Sequence, residues 1–159
     1  MLVVALAAVI LLRPWEIAPQ SGEGGPRSVS AVVARVVDGD TIEARVGGSV
    51  EDVRLIGVDT PETVDPDAPV QCFGKRAAGF THRLLDRQRV RLVLGAERRD
   101  TYGRLLAYVY MDHRLVNAEL VRRGLARTLP IPPNTLHRAL FRRLERRAAR
   151  SGRGLWGAC

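Results

Sequence analysis

From residue 32 onward the chain alternates apolar and polar positions with a period of two, then switches to a period of about 3.6, and the switches mark out its elements. Runs rich in β-branched residues at 32–37 and 42–46 are broken by the turn pair Asp38-Gly39, Gly47-Gly48 makes the next turn, and 53–58 is a third run. This predicts a three-strand meander. Residues 63–71, with Asp65, Pro66, Asp67 and Pro69, read as an exposed loop. Phe73, Ala77, Phe80 and Leu84 then recur at helical spacing, which predicts an amphipathic helix over 72–86. Val90, Leu92 and Leu94 alternate with Arg89 and Arg91 in a fourth strand at 88–94, and 105–111 is a fifth, tyrosine-rich run after the turn Tyr102-Gly103. Asn117 is placed to cap a short helix, 118–123, that Gly124 ends. A proline-laden loop at 129–133 leads to a last helix, capped by Asn134-Thr135, whose Leu136, Leu140, Leu144 and Ala148 form one apolar stripe.

Five short strands and three helices in one small unit predict an α+β domain with a mainly β core, a closed five-stranded barrel of OB type. A chain of 159 residues, 46% hydrophobic, suits one such domain. Residues 2–12 are a separate matter: an unbroken apolar run closed by Arg13-Pro14-Trp15, shorter than the ~20 residues that cross a bilayer. The run lacks a charged n-region and a small-x-small cleavage site, absences that a start codon placed too late would explain. With the flexible stretch Gln20-Ser21-Gly22-Glu23-Gly24-Gly25-Pro26 behind it, residues 1–29 are expected to be a signal or membrane anchor plus spacer, and 30–159 the domain. The domain is therefore expected to work outside the cytoplasm, secreted or tethered, as a monomer.

Charge narrows the function. The net charge of +8 comes mostly from arginine, whose planar fork suits phosphate oxygens, so a polyanionic partner is expected. Acids gather where a barrel rim should be: Asp40, Asp59 and Glu62 end β-branched runs, and Arg54 lies inside one, where a charge is costly unless paired. Taken singly, Asp40 is a turn residue, Glu62 a first-turn acid after Pro61 and Arg104 a sheet-edge charge. Taken together they describe a site. Arg54 and Asp59 are five residues apart, and strict alternation would put them on opposite faces, which a bend or bulge near Gly57 would reconcile. His82, His113 and His137 lack zinc spacing and read as surface residues. Arg138, Arg142, Arg143, Arg146, Arg147 and Arg150 read as a solvated helix face.

Asp38-Gly39-Asp40-Thr41, Arg54 with Val58-Asp59-Thr60-Pro61-Glu62-Thr63, and Asp100-Thr101-Tyr102-Gly103-Arg104-Leu105-Leu106-Ala107-Tyr108 together resemble the staphylococcal nuclease (thermonuclease) family. The resemblance spans residues 31–156 and includes Val116-Asn117, Gly124-Leu125-Ala126 and Gly154-Leu155-Trp156. It implies a calcium-dependent nuclease that hydrolyses DNA and RNA, single-stranded or locally melted, to 3'-phosphate ends. By position, Asp40, Asp59 and the carbonyl of Thr60 resemble the Ca2+ ligands, Glu62 the water-activating carboxylate, Arg54 and Arg104 the phosphate-binding arginines, and Tyr102 the stacking residue. The residue types suit the chemistry: calcium takes several oxygen ligands in flexible geometry, a carboxylate orients and deprotonates water, and arginines stabilise charge on the phosphoryl oxygens.

Three departures bear on substrate binding. The loop at 129–133 is one residue shorter and lacks the family's stacking tyrosines, Thr101 replaces a nucleotide-contacting lysine, and Asp65 and Asp67 stand where lysines are found. Weak base selectivity is expected. A nucleic-acid-binding module of the same fold without catalysis is the competing reading, and a membrane-bound adaptor is a third that would rest on residues 2–12 alone. Finally, an even pair of cysteines in an exported chain predicts a Cys72–Cys159 disulfide, with the tail folded back toward the first helix.

Overall fold

The structure is a computed structural model and describes residues 27–63 and 69–159. The expected signal or anchor and the acids Asp65 and Asp67 lie outside the described residues. In chain order the elements are β1 (Ser28–Asp38), β2 (Thr41–Val46), β3 (Ser49–Leu55), β4 (Gly57–Asp59), α1 (Gly74–Leu85), β5 (Arg89–Arg99), β6 (Leu105–Met111), β7 (Arg114–Leu115), α2 (Val116–Arg122), β8 (Arg127–Leu129), α3 (Arg138–Arg150) and α4 (Leu155–Ala158). The first strand begins at Ser28, ahead of the expected Val32, because 28–32 already pair with β5.

Strands β1, β2 and β3 form the antiparallel meander, β5 pairs with β1, and β6 pairs with β5. The parallel register Val53↔Leu105, Arg54↔Leu106, Leu55↔Ala107 joins β3 to β6. That pairing closes a five-strand mixed barrel, the OB-type α+β fold, around which the helices pack. Period-2 alternation sends Ile42, Ala44, Val53, Leu55, Leu92, Ala107 and Val109 inward, all at most 1% exposed. Ala77 and Leu85 of α1, Val116, Leu120 and Val121 of α2, and Phe141 of α3 complete the core. Each large side chain so buried stabilises by about 1.5–3 kcal/mol.

Local sequence misled at three polar residues, each time because the side chain found a tertiary partner. Asn117 is inside α2, not at its cap, and is fully buried: its Oδ1 accepts from Val109 N–H at 2.9 Å and its Nδ2 donates to Ile56 O at 2.9 Å. It staples β6 to the end of β3. Asn134 does not cap α3, which starts at Arg138; its side chain bonds both the N–H and the C=O of Glu97 in β5. Leu136 therefore lies outside the helix and is 66% exposed. His137 is half-buried, edge-on to Tyr108 at 4.7 Å and within 3.2 Å of Tyr110 Oη, so it is a packing residue rather than a surface one.

Cys72 and Cys159 are disulfide-bonded, closing a separation of 87 residues. The tail they anchor is seated by Leu155 N–H donating to Gly124 O at 2.9 Å, and Trp156 lies under the guanidinium of Arg127. Among the described residues no helix is long and apolar enough to cross a membrane.

Candidate active site

The run at 53–58 is not one strand. Ile56 leaves the ladder as a turn, Gly57 takes φ +77°, and the chain restarts as β4, which pairs with β8 instead of continuing beside β2. Only glycine fits there, since the ring of Phe141 would lie 2.9 Å from a Cβ. The break resets the side-chain alternation and brings Asp59 to the same side as Arg54, whose Nη2 donates to Asp59 Oδ1 at 3.0 Å. Nη1 of Arg54 contacts Asp40 Oδ2, so one guanidinium spans both carboxylates. Arg54 itself is 16% exposed, and the two acids are what make its burial affordable.

A second turn fixes Asp40. The β1–β2 register shifts between Val36 and Asp38, and the chain reverses through Asp38-Gly39-Asp40. Gly39 lies so close to Thr60 that a Cβ would fall 2.7 Å from its Oγ1, while Thr81 Oγ1 of α1 donates to Gly39 O at 2.6 Å. With the two loops in contact, Thr60 N–H donates to Asp40 Oδ2 at 2.7 Å. Thr60 Oγ1 is buried without a hydrogen-bond partner in this structure.

Glu62 follows on a loop held from both sides. Its N–H donates to Gln71 Oε1 at 3.1 Å, its C=O accepts from Gln71 N–H at 3.0 Å, and its Oε1 accepts from Thr63 N–H at 2.8 Å. Asp38, read from sequence as a turn residue only, is 4% exposed and lies beside the Glu62 carboxyl. Burial pushes Asp38 above the ordinary carboxylate range against the bonds it accepts from Thr63 and Gly39, and Glu62 pushes it further. Asp59 is also raised, by partial burial first and by the charges of Asp40 and Glu62, with Arg54 pulling the other way.

Arg104 comes from the turn before β6. Asp100 organises that turn: its Oδ1 accepts from the N–H groups of Tyr102 and Arg104, both at 3.0 Å, and its Oδ2 accepts from Arg104 Nε at 2.8 Å. Burial would raise Asp100, but these bonds and the Arg104 charge outweigh it and hold it below its usual range. The Arg104 guanidinium sits 5.3 Å from the ring centre of Tyr102, which is 84% exposed.

Asp38, Asp40, Arg54, Asp59, Thr60, Glu62 and Arg104 line one open cavity of about 320 Å³. Tyr102 is absent from that lining. It belongs to an adjoining cavity of about 360 Å³ that shares Arg54 and Arg104 and is walled by Leu55, Leu106, Leu129 and Ile131. Leu129 and Ile131, 40% and 59% exposed, occupy the loop that lacks tyrosines. Among the described residues no group of three or more His, Cys, Asp or Glu side chains is set to hold a metal ion. The expected ligand set has only two carboxylates, with a backbone carbonyl as third member, and Arg54 reaches across both acids. Asp38, Asp100 and Gln71 are the site residues that sequence reasoning passed over, although the Asp-Gly-Asp turn and the four-residue spacing of Asp100 to Arg104 were visible signals for the first two.

The chain is also similar to known proteins. The family description "Staphylococcal nuclease homologue" matches residues 52–158. The chain is 42% identical to a thermonuclease of Staphylococcus intermedius over 98% of its own length and 94% of that protein. It is 38% identical to a thermonuclease of Staphylococcus hyicus, over 98% and 95% of the two chains. Endonuclease YncB of Bacillus subtilis is 38% identical over 80% of this chain and 62% of its own.

Proposed function

The chain belongs to the staphylococcal nuclease homologue family, and from that premise we propose that it is a calcium-dependent phosphodiesterase that hydrolyses DNA and RNA and leaves 3'-phosphate ends. The observation that carries this reading is the convergence of two acids, a bridging arginine, Glu62 and Arg104 on one open cavity large enough for a phosphodiester group.

The donors suit a hard cation. Asp40, Asp59 and the Thr60 carbonyl are all oxygen ligands, and Asp40 and Glu62 add negative charge beside Asp59 that a cation would relieve. When bound, calcium supplies positive charge opposite the phosphoryl oxygens and polarises them. Glu62 orients the attacking water and takes its proton, a role for which the two backbone bonds to Gln71 and the one from Thr63 fix its position. As charge builds on the phosphate, Arg54 and Arg104 meet it with donors already held by Asp40, Asp59 and Asp100, so little reorganisation is needed.

Base recognition is the weaker half of the site. Tyr102 alone offers an aromatic face, and Leu129 and Ile131 provide contact area without stacking, a difference of about 1–3 kcal/mol for each lost stacking partner. Cleavage should depend on phosphate contacts, respond strongly to salt and discriminate little among bases. The run at 2–12 supports action outside the cytoplasm, released or tethered. Digestion of plasmid DNA and of RNA, with calcium and with a chelator, tests the reading. Calcium-dependent cleavage to 3'-phosphates is expected, whereas binding without cleavage would favour a catalytically silent module of the same fold.

A further inference from the structure

Six arginines of α3, Arg138, Arg142, Arg143, Arg146, Arg147 and Arg150, are all exposed, and among the described residues no ion pair involves any of them. At 3.6 residues per turn they fill one continuous half of the helix. The other half is committed to the core through buried Phe141 and Ala148 and through Leu140 and Leu144 packed behind them. The helix has a single acid, Glu145, and it is turned to β8, where it accepts from Thr128 N–H at 2.8 Å and Thr128 Oγ1 at 2.7 Å. No negative side chain of α3 is left to neutralise the exposed face.

Position gives this charge a direction. Arg138 lines a small cleft with Gly57, Thr128 and Phe141, and that cleft shares Gly57 and Asn134 with the apolar cavity beside the catalytic one. From there Arg138, Arg142, Arg146 and Arg150 run in i, i+4 steps as a ridge about 18 Å long, leading away from the site. We propose that this ridge is an accessory track for the sugar-phosphate backbone of a long nucleic-acid strand whose scissile phosphate occupies the catalytic cavity. The proposal rests on the nuclease reading and extends it from the cleaved bond to the length of the substrate.

The chemistry favours a phosphodiester strand over an anionic membrane. A helix that lies on lipid turns an apolar face to it, and the apolar face of α3 is buried in the protein. Guanidinium groups bind phosphate oxygens in pairs and are weakly hydrated, which suits a backbone that slides without base readout.

The test compares two single-stranded oligonucleotides, one just long enough to fill the two cavities and one several-fold longer, by fluorescence anisotropy across a salt series, with calcium present and a non-cleavable backbone. The wild-type chain should bind the longer strand more tightly and with a steeper salt slope. In R142Q/R146Q/R150Q the preference should fall on the order of tenfold and the slope by about 0.7 for each arginine removed. The matching triple lysine variant should regain most of the slope, which separates lost charge from lost folding. Equal affinity for the two lengths in the wild type, or an unchanged slope in the glutamine variant, would overturn the track. Binding of phosphatidylserine vesicles that the glutamine variant loses while keeping its preference for the longer strand would overturn it in favour of a membrane face. Cleavage is read separately on natural strands: length preference without hydrolysis supports the track while removing the nuclease reading.

Discussion

At the scale of single residues, the proposed mechanism separates charge from proton transfer. Glu62 is the group assigned to the water, so Glu62→Gln should lower kcat by at least about 10² while calcium affinity, measured by calorimetry, changes little. Asp40→Asn should do the reverse, with part of the lost rate recovered in excess calcium. The raised acids have their own signature. Because Asp59 keeps its proton to a higher pH folded than unfolded, its contribution to stability is present below the ordinary carboxylate value of 3.8 and is lost as pH rises through the raised one. At neutral pH the ionised Asp59 therefore costs stability. Asp59→Asn should raise the Tm of the calcium-free protein at pH 7, and the gain should shrink in acid, while activity is lost. A fall in Tm at pH 7 would mean that the Arg54 pairing outweighs desolvation after all.

Between residues and the whole barrel, the elements differ in how firmly they hold the chemistry. Asp40 ends the turn that enters β2 and Arg54 lies in the neighbouring β3, Thr41↔Arg54 being a register pair, whereas Glu62 rides on a loop whose backbone is clipped by Gln71. Gln71→Ala removes one clip and should lower kcat several-fold with little change in KM, while Gln71→Glu should not restore it, because a carboxylate would bring a further negative charge beside Glu62. Steady-state kinetics with a long DNA substrate read the split. The strands, the first helix and the acidic rim were legible in the sequence because their signals are local: alternation, turn pairs and charges placed in apolar runs. Even the break at Gly57 was foreshadowed by the incompatible parity of Arg54 and Asp59. Asn117 and Asn134 were not legible in the same way. An asparagine just ahead of an apolar stripe looks like a cap whether or not a distant backbone, here Ile56 or Glu97, takes up its amide.

The whole molecule is tied at its far end. The Cys72–Cys159 bond links the segment just after Gln71 to the C-terminal tail across 87 residues. In the chain-entropy model a loop of that length stabilises by about 4–5 kcal/mol, so reduction should lower the Tm markedly, and activity measured well below the new Tm should fall far less than stability does. A second long-range feature decides when the enzyme comes to exist. The barrel is closed by the parallel join of β3 to β6, Ile56 is stapled by Asn117, and β4 is seated on β8, with Asp59 opposite Arg127 in the strand register. Asp38, Asp40, Asp59 and Glu62 are all made in the first half of the chain, yet β6, α2 and β8, which close around them, follow only after Arg104. A ribosome-bound or half-exported chain that ends before Arg127 should thus carry all three acids, Asp40, Asp59 and Glu62, and cut nothing, which a puromycin-free in vitro translation arrested at successive lengths would show. On the proposed reading, in which RNA is a substrate, late closure is a safeguard for the cell: the chain stays harmless to the messenger that encodes it until β8 has left the machinery that reads that messenger.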